Sequence, residues 1–362
     1  MNLATHRPAH LHQRLQTGLH VLRWRQFSFL LCSQRLRVQL AVCALLCLSL
    51  GVAMMAGSTW LSPAQLLSLL TPNADASADA MQLLLFEFRL PRIVVGMLAG
   101  CALAISGLLL QSMTQNKLAS PDMLAVSDGA SLALFLGLLA NIGGNGMLGP
   151  WWLAPLGAFA SVALLLIIAG RRALQADALL IIGLSLASLL RAGSELALAR
   201  QELQHASALY AWSIGNLNGR GYASASALAI ALAICVPLLL WHRRQLGLLS
   251  LGQDCARSLG VAVTRLRWQA LLIGVALAGL AIGVCGPLAF IALAAPQIAL
   301  RLHQASASQA APVFTCGMLG AMLVTLADTL GRSLQSDAEL PVGVMCNLLG
   351  GPFLLWLVLK SK

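Results

Sequence analysis

The chain has 362 residues, 59% apolar and only 10% charged, with a mean hydropathy of +0.82 and a formal net charge of +11. Ordinary globular domains carry about 25% charged residues, so a water-soluble fold is excluded. The positive charge lies between the apolar runs rather than along one surface, which excludes nucleic-acid binding as its purpose.

Residues 1–37 carry six arginines and no acid, the composition of a cytoplasmic tail under the positive-inside rule. The basic stretch and the apolar run after it are both too long for a cleaved signal peptide. Apolar spans follow at 38–57, 90–112, 122–140, 151–169, 178–199, 223–241, 266–285, 288–302, 311–331 and 341–359. A helix needs about 20 such residues to cross about 30 Å of hydrocarbon, and lipid leaves no other home for the backbone polar groups of an isolated run. The span at 288–302 is short and interrupted by Pro296. With the tail inside, alternate connections are basic: Arg171 and Arg172, then Arg243, Arg244, Arg257 and Arg265, then Lys360 and Lys362. The opposite set, 58–89 and 141–150, is acidic or uncharged. The expected fold class is an all-α polytopic membrane protein of about ten transmembrane helices with both termini cytoplasmic. Residues 1–37 form its tail, and 38–360 form one transmembrane domain with a cytoplasmic segment at 250–265.

Seven of the nine cysteines sit inside apolar spans and none forms a CxxC, so they read as small hydrophobes and no metal site is expected. None of the three lysines follows a glycine, so there is no phosphate-binding loop and this chain does not hydrolyse ATP by that route. No catalytic residue is expected, and the chain reads as a non-enzyme. Ionisable groups inside spans are rare and mark pathways or buried pairs; here they are Asp128, Arg191, Glu195 and Asp328. Arg191 and Glu195 stand four residues apart and so share a helix face, either neutralising each other or placing Arg191 on a pathway for an anion.

Between two spans lies LGQDCARSLGVAVTRLR, residues 251–267. It opens on a glycine, carries Asp254 early and its arginines late, and predicts a short amphipathic helix with Ala256, Leu259 and Val261 on the buried side. The acid near its start suits the helix dipole.

Five blocks in order then carry a resemblance. RLPRIVVGMLAGCALAISGLLLQSMTQNKLASPDMLAVSDGAS (89–131), WSIGNLNG (212–219), LGQDCARSLGV (251–261), GPLAFIALAAPQ (286–297) and ELPVGVMCNLLGGPF (339–353) resemble the FecCD-type permease subunits of ABC importers for iron-siderophores, haem and vitamin B12. The resemblance implies a type II importer permease in the bacterial inner membrane. It implies two permease subunits around one pathway, with a heterodimer favoured, two copies of a separate cytosolic ATPase that binds the ATP, and a periplasmic substrate-binding protein. No cofactor on this chain is implied. By resemblance the ATPase-coupling residues are Gly252, Asp254, Ala256, Arg257, Leu259 and Gly260, and the binding-protein docking residues are Arg89, Arg92 and Arg332. Two departures stand out: Gln297 occupies the place of a common histidine, with Arg301 displaced by one, and Asp128 stands where an uncharged polar residue is common. The 212–219 block looks most like the ferric-siderophore branch, especially permeases for ferric catecholates. Haem or vitamin B12 is the alternative cargo, and an ion-coupled secondary transporter using Arg191, Glu195 and Asp328 is the alternative of a different class.

Overall fold

A computed structural model describes residues 19–24, 27–57, 60–68, 81–140, 142, 152–170, 176–200, 203–249, 252–303, 313–334 and 340–360. Tail residues 1–18, Arg171, Arg172 and Lys362 lie outside them. Within the tail, β1 (Leu19–Trp24) and β2 (Phe27–Cys32) pair antiparallel with Leu19 opposite Cys32. These are the only strands among the described residues; the rest of the fold is a helical bundle, as expected.

The apolar runs form α1 (Ser33–Met55), α3 (Leu90–Thr114), α4 (Val126–Leu139), α5 (Leu153–Ala169), α6 (Ala176–Ala199), α8 (Tyr222–Leu249), α10 (Val263–Cys285), α11 (Ile291–Leu302), α12 (Val313–Ser333) and α13 (Val342–Lys360). Among the described residues, six of these are long and apolar enough to cross a membrane and four are shorter apolar helices, which accounts for each expected span. Three short helices stand between them: α2 (Pro63–Ser68), α7 (Leu203–Ser213) and α9 (Gln253–Ser258). α2 is started by a reciprocal cap, in which Ser62 and Gln65 each use a side-chain oxygen to satisfy the other's backbone N–H. A π-helical turn, Leu84–Arg89, leads into α3.

α3 is the hub. About 78% of its apolar window is buried, against 17% for α1 at the periphery, and it packs on α12, α10, α11 and α8. Its small residues make this possible. A Cβ at Gly100 would stand 2.3 Å from the Gly320 carbonyl oxygen of α12, and one at Gly107 would stand 1.7 Å from the Ala292 carbonyl oxygen of α11. Backbones approach this closely only where side chains are absent, the usual device of membrane helix pairs. In a second layer α4 packs on α5 and α6, and α4 and α5 are joined in the same way through Gly129 and Gly157.

The charge pattern orients the bundle. With the tail inside, α3 starts and α1 and α12 end at the outer face, whereas α9 lies at the inner face between α8 and α10. α11 does not run the full depth. Its first turn meets Gly107, seven residues before the end of α3, about 10 Å inside the cytoplasmic end at 1.5 Å per residue.

Candidate functional site

At the inner end, the segment predicted to be amphipathic is a built structure. Gly252 has φ +106° and Gly260 φ +81°, a region open to glycine at little cost, and between them runs α9. The closing turn is fastened by the Val261 N–H donating to the Ala256 carbonyl at 3.0 Å and the Gly260 N–H donating to that of Arg257 at 3.0 Å. Ala256 is fully buried and Val261 nearly so, as expected. Leu259 is a correction: it is 57% exposed, because α9 ends at Ser258 and the chain turns away from helical register before Gly260 reverses it. Asp254 and Arg257 are exposed and 3.4 Å apart. The segment is thus anchored through Ala256 and presents Leu259, Asp254 and Arg257 to the cytosol.

At the outer end, the three arginines expected to face a partner's carboxylates are turned inward. Arg89, Arg92 and Arg332 are each at most 8% exposed. Arg92 donates from Nε and Nη2 to Asp328 Oδ1 at 3.0 and 2.7 Å, and Arg332 donates from Nε to Asp328 Oδ2 at 3.0 Å. The remaining groups of Arg332 cap the end of α1, at the carbonyls of Ala56 and Ala53, both 3.1 Å. Arg89 does the same at Met54, 3.0 Å. Cations over the last carbonyls of a helix meet its negative end. Asp328, expected as a pathway candidate, has both of its oxygens engaged by guanidinium groups and stands at the centre of this arginine cluster.

Between the two ends lies a cavity of about 520 Å³, lined among others by Asp122, Ser127, Asp128, Ser131, Arg191, Ser194, Glu195, Tyr210, Ser213 and Asn347. Three of the expected pathway candidates therefore meet in one place. The partner of Arg191 is not Glu195, the residue four positions on, but Asp128 on α4, with Nε to Oδ1 at 3.0 Å. Sharing a helix face brings two side chains near without aligning them, and Asp128 lies across the gap in line with the guanidinium. Arg191 remains 68% exposed at its side chain and projects into the cavity. The Ser127 hydroxyl donates to Asp122, so three carboxylates, Asp122, Asp128 and Glu195, border the cavity.

The serines, Tyr210, Asn347 and Asp122 escaped the sequence reading. A signal existed for some of them: Arg191, Ser194, Glu195 and Leu198 follow the three- and four-residue steps of one face of α6, and Ser127 and Ser131 share a face of α4. Nothing in the sequence announced that α7 would pack against α6 and supply Tyr210 and Ser213 to the cavity.

Gln297, in the place of the common histidine, is 5% exposed and donates from Nε2 to Gln111 Oε1 at 2.8 Å and to the Lys117 carbonyl at 3.2 Å. It fastens α11 to the end of α3. The displaced Arg301 lies over the ring of Trp356, its Cζ 5.0 Å from the centroid.

The chain matches the FecCD transport family over residues 42–360. It is 36% identical over 358 residues to the achromobactin transport system permease protein CbrC of Dickeya dadantii, covering 95% of this chain and 97% of that one. Similarity to the vitamin B12 import system permease protein BtuC of Pectobacterium atrosepticum is 34% over 337 residues, covering 91% and 96%. The Fe(3+) dicitrate permease protein FecD of Escherichia coli is 33% identical over 323 residues, covering 89% and 96%. Among solved structures, an inward-facing ABC transporter of metal-chelate type superposes with a TM-score of 0.76 at 25% identity, covering 90% of this chain and 99% of that one. With a bundle of ten apolar helices, an anchored cytoplasmic helix and a family match across nearly the whole bundle, the chain belongs to the FecCD transport family and is a multi-pass membrane permease subunit of an ABC importer.

Proposed function

We propose that the chain carries a ferric-siderophore complex across the bacterial inner membrane, paired with a second permease subunit. It is driven by two copies of a cytosolic ATPase seated on residues 252–261 and fed by a periplasmic binding protein at the arginine end. The observation that carries the reading is the cytoplasmic segment. A connection between membrane helices gains nothing from two left-handed glycines and a buried anchor unless it must transmit a push, and the exposed Leu259 gives an ATPase cleft its apolar contact. The relatives' names span achromobactin, ferric dicitrate and vitamin B12 at similar identity, which supports a bulky chelate as cargo. The hydroxyl-rich cavity suits the oxygen-rich surface of a siderophore, since polar groups placed in a largely apolar pocket set orientation.

At the outer end the proposed docking role takes a different form from the one first expected. The buried arginines hold α1, α3 and α12 together and shape the surface on which the binding protein sits, and contact with its carboxylates requires them to swing outward.

The test is co-purification of this chain from its own cells in mild detergent, with mass spectrometry of what remains bound. A phosphate-loop ATPase lost on Leu259→Asp is expected, together with a second permease. A folded chain that retains no ATPase in any gentle detergent would overturn the proposal and return the weight to ion-coupled transport.

A further inference from the structure

We infer that Arg267 is a positioning residue that ties the ATPase-facing segment to the floor of the polar cavity. The inference rests on reading residues 252–261 as the ATPase seat, and it adds a residue that neither the motif nor the charge pattern singled out.

Arg267 lies near the start of α10, the helix that leaves the cytoplasmic segment. It is only 6% exposed. A guanidinium is expensive to bury unless its donors are engaged, and here Nη2 donates to the carbonyl of Met113 at 2.9 Å. Met113 belongs to the last turn of α3, where the orphan carbonyls and the negative end of the helix dipole favour a cation. α3 stops one residue later and Gln115 turns left-handed at φ +56°. The chain then crosses residues 115–120 and enters the 3₁₀ turn Pro121–Leu124. That turn supplies Asp122, which accepts from Ser127, and both residues line the cavity.

The backbone of Arg267 therefore belongs to the helix that the coupling segment moves. Its head group holds the helix end from which the cavity floor hangs. Two other ties bracket it. Ser106 donates to the Gly274 carbonyl at 2.7 Å, joining α3 and α10 higher up. Gln297 holds the Lys117 carbonyl from the α11 side, so the stretch after α3 is gripped from two helices. α11 in turn follows Pro287 and Ala289, which also line the cavity. Displacement of α10 by the cytoplasmic segment is thereby delivered to the end of α3 through the Arg267 bond. An arginine suits the task, because its long stem spans the gap between helices and its planar fork is stiff once engaged.

The experiment uses the complete complex with Arg267→Gln, reconstituted in liposomes, and cells expressing the same variant. ATPase retention on co-purification and hydrolysis without binding protein are expected to stay within about twofold of wild type. The rise in hydrolysis on adding the loaded binding protein is expected to vanish. Uptake of radioactive ferric iron, supplied in the cells' own iron-limited spent medium, is expected to fall at least about tenfold, within the usual range of coupling between sites. Arg267→Lys, which keeps a donor within reach of the Met113 carbonyl, should recover most of both. A purely structural role would instead lower the amount of complex and all rates together.

Leu259→Asp serves as the reference. If it uncouples the complex and Arg267→Gln retains stimulation and uptake, this inference alone fails. If neither variant uncouples, the ATPase seat itself is misassigned. Should Arg267→Gln not assemble, Arg267→Met, which keeps the volume of the stem, is read in its place. Failure of both to assemble makes Arg267 a folding residue and overturns the proposal.

Discussion

Replacing Asp328 with alanine should destabilise the outer end of the bundle more than any other single change there. The carboxylate accepts three charge-assisted hydrogen bonds, two from Arg92 and one from Arg332, and its side chain is 4% exposed. Bonds to charged groups contribute about 1.5–3 kcal/mol each, so the gross loss would be about 4–9 kcal/mol. Part of it is offset because Arg332 keeps the carbonyls of Ala53 and Ala56. Breaking one partner out of a buried ion pair costs about 3–5 kcal/mol in practice, and that is the net figure expected. Against a total stability of about 5–15 kcal/mol this is a large share. The assay is thermal unfolding in detergent followed by size exclusion, with a drop in midpoint of about 5–10 °C expected. The triple change Arg92→Met, Asp328→Leu and Arg332→Met should recover part of the loss, because apolar replacement of a whole buried ion cluster is often neutral whereas a double change would leave Arg332 buried without its counter-ion. A single Asp328→Ala chain that melts within about 2 °C of wild type would refute the claim that this cluster holds α3, α12 and α1 together.

Leu259→Asp should leave the melting temperature unchanged within about 1 °C, since surface changes stay within about 0.5 kcal/mol, while ATPase recovered on co-purification falls at least about tenfold, as for loss of an interface anchor. Arg191→Gln should lower uptake several-fold with little change in melting, because an ion pair with one largely exposed partner contributes about 0–1 kcal/mol; unchanged uptake would remove Arg191 from the pathway. Gly100→Val should abolish the folded peak or cost at least about 1–3 kcal/mol by overpacking. Gly51→Ala, where an added Cβ meets nothing within 4 Å, should be silent, and a comparable loss at both sites would show that the packing argument is wrong.

The ten spans and the place of the cytoplasmic helix were legible because hydropathy and loop charge are summed over many residues, and single errors average out. The side-chain partners were not. Arg191 looked paired with Glu195 because helical spacing is visible in a sequence, whereas the gap to Asp128 on α4 depends on how closely α6 packs on α4, where Gly193 faces Leu132. The burial of Arg92 and Arg332 was hidden for a similar reason: Asp328 is 236 residues from Arg92, and only the assembled bundle shows that the two share one pocket. Leu259 was misplaced because helical periodicity was extended one residue past Ser258, where α9 ends.

The shortness of α11 bears on what the bundle must do at rest. Its first turn lies well inside the membrane, so residues 287–289, flanked by Gly286 and Phe290 with φ +75° and +67°, run through the bilayer outside any helix. Bare backbone survives at that depth only inside protein or beside water, and Pro287 and Ala289 border the cavity. Those two residues give the non-helical backbone a polar recess to border. A polar recess halfway through an energised membrane is, once water enters it, a potential proton and ion leak. In a dimeric permease the barrier that keeps the gradient intact has to open and reseal around such a recess within each cycle.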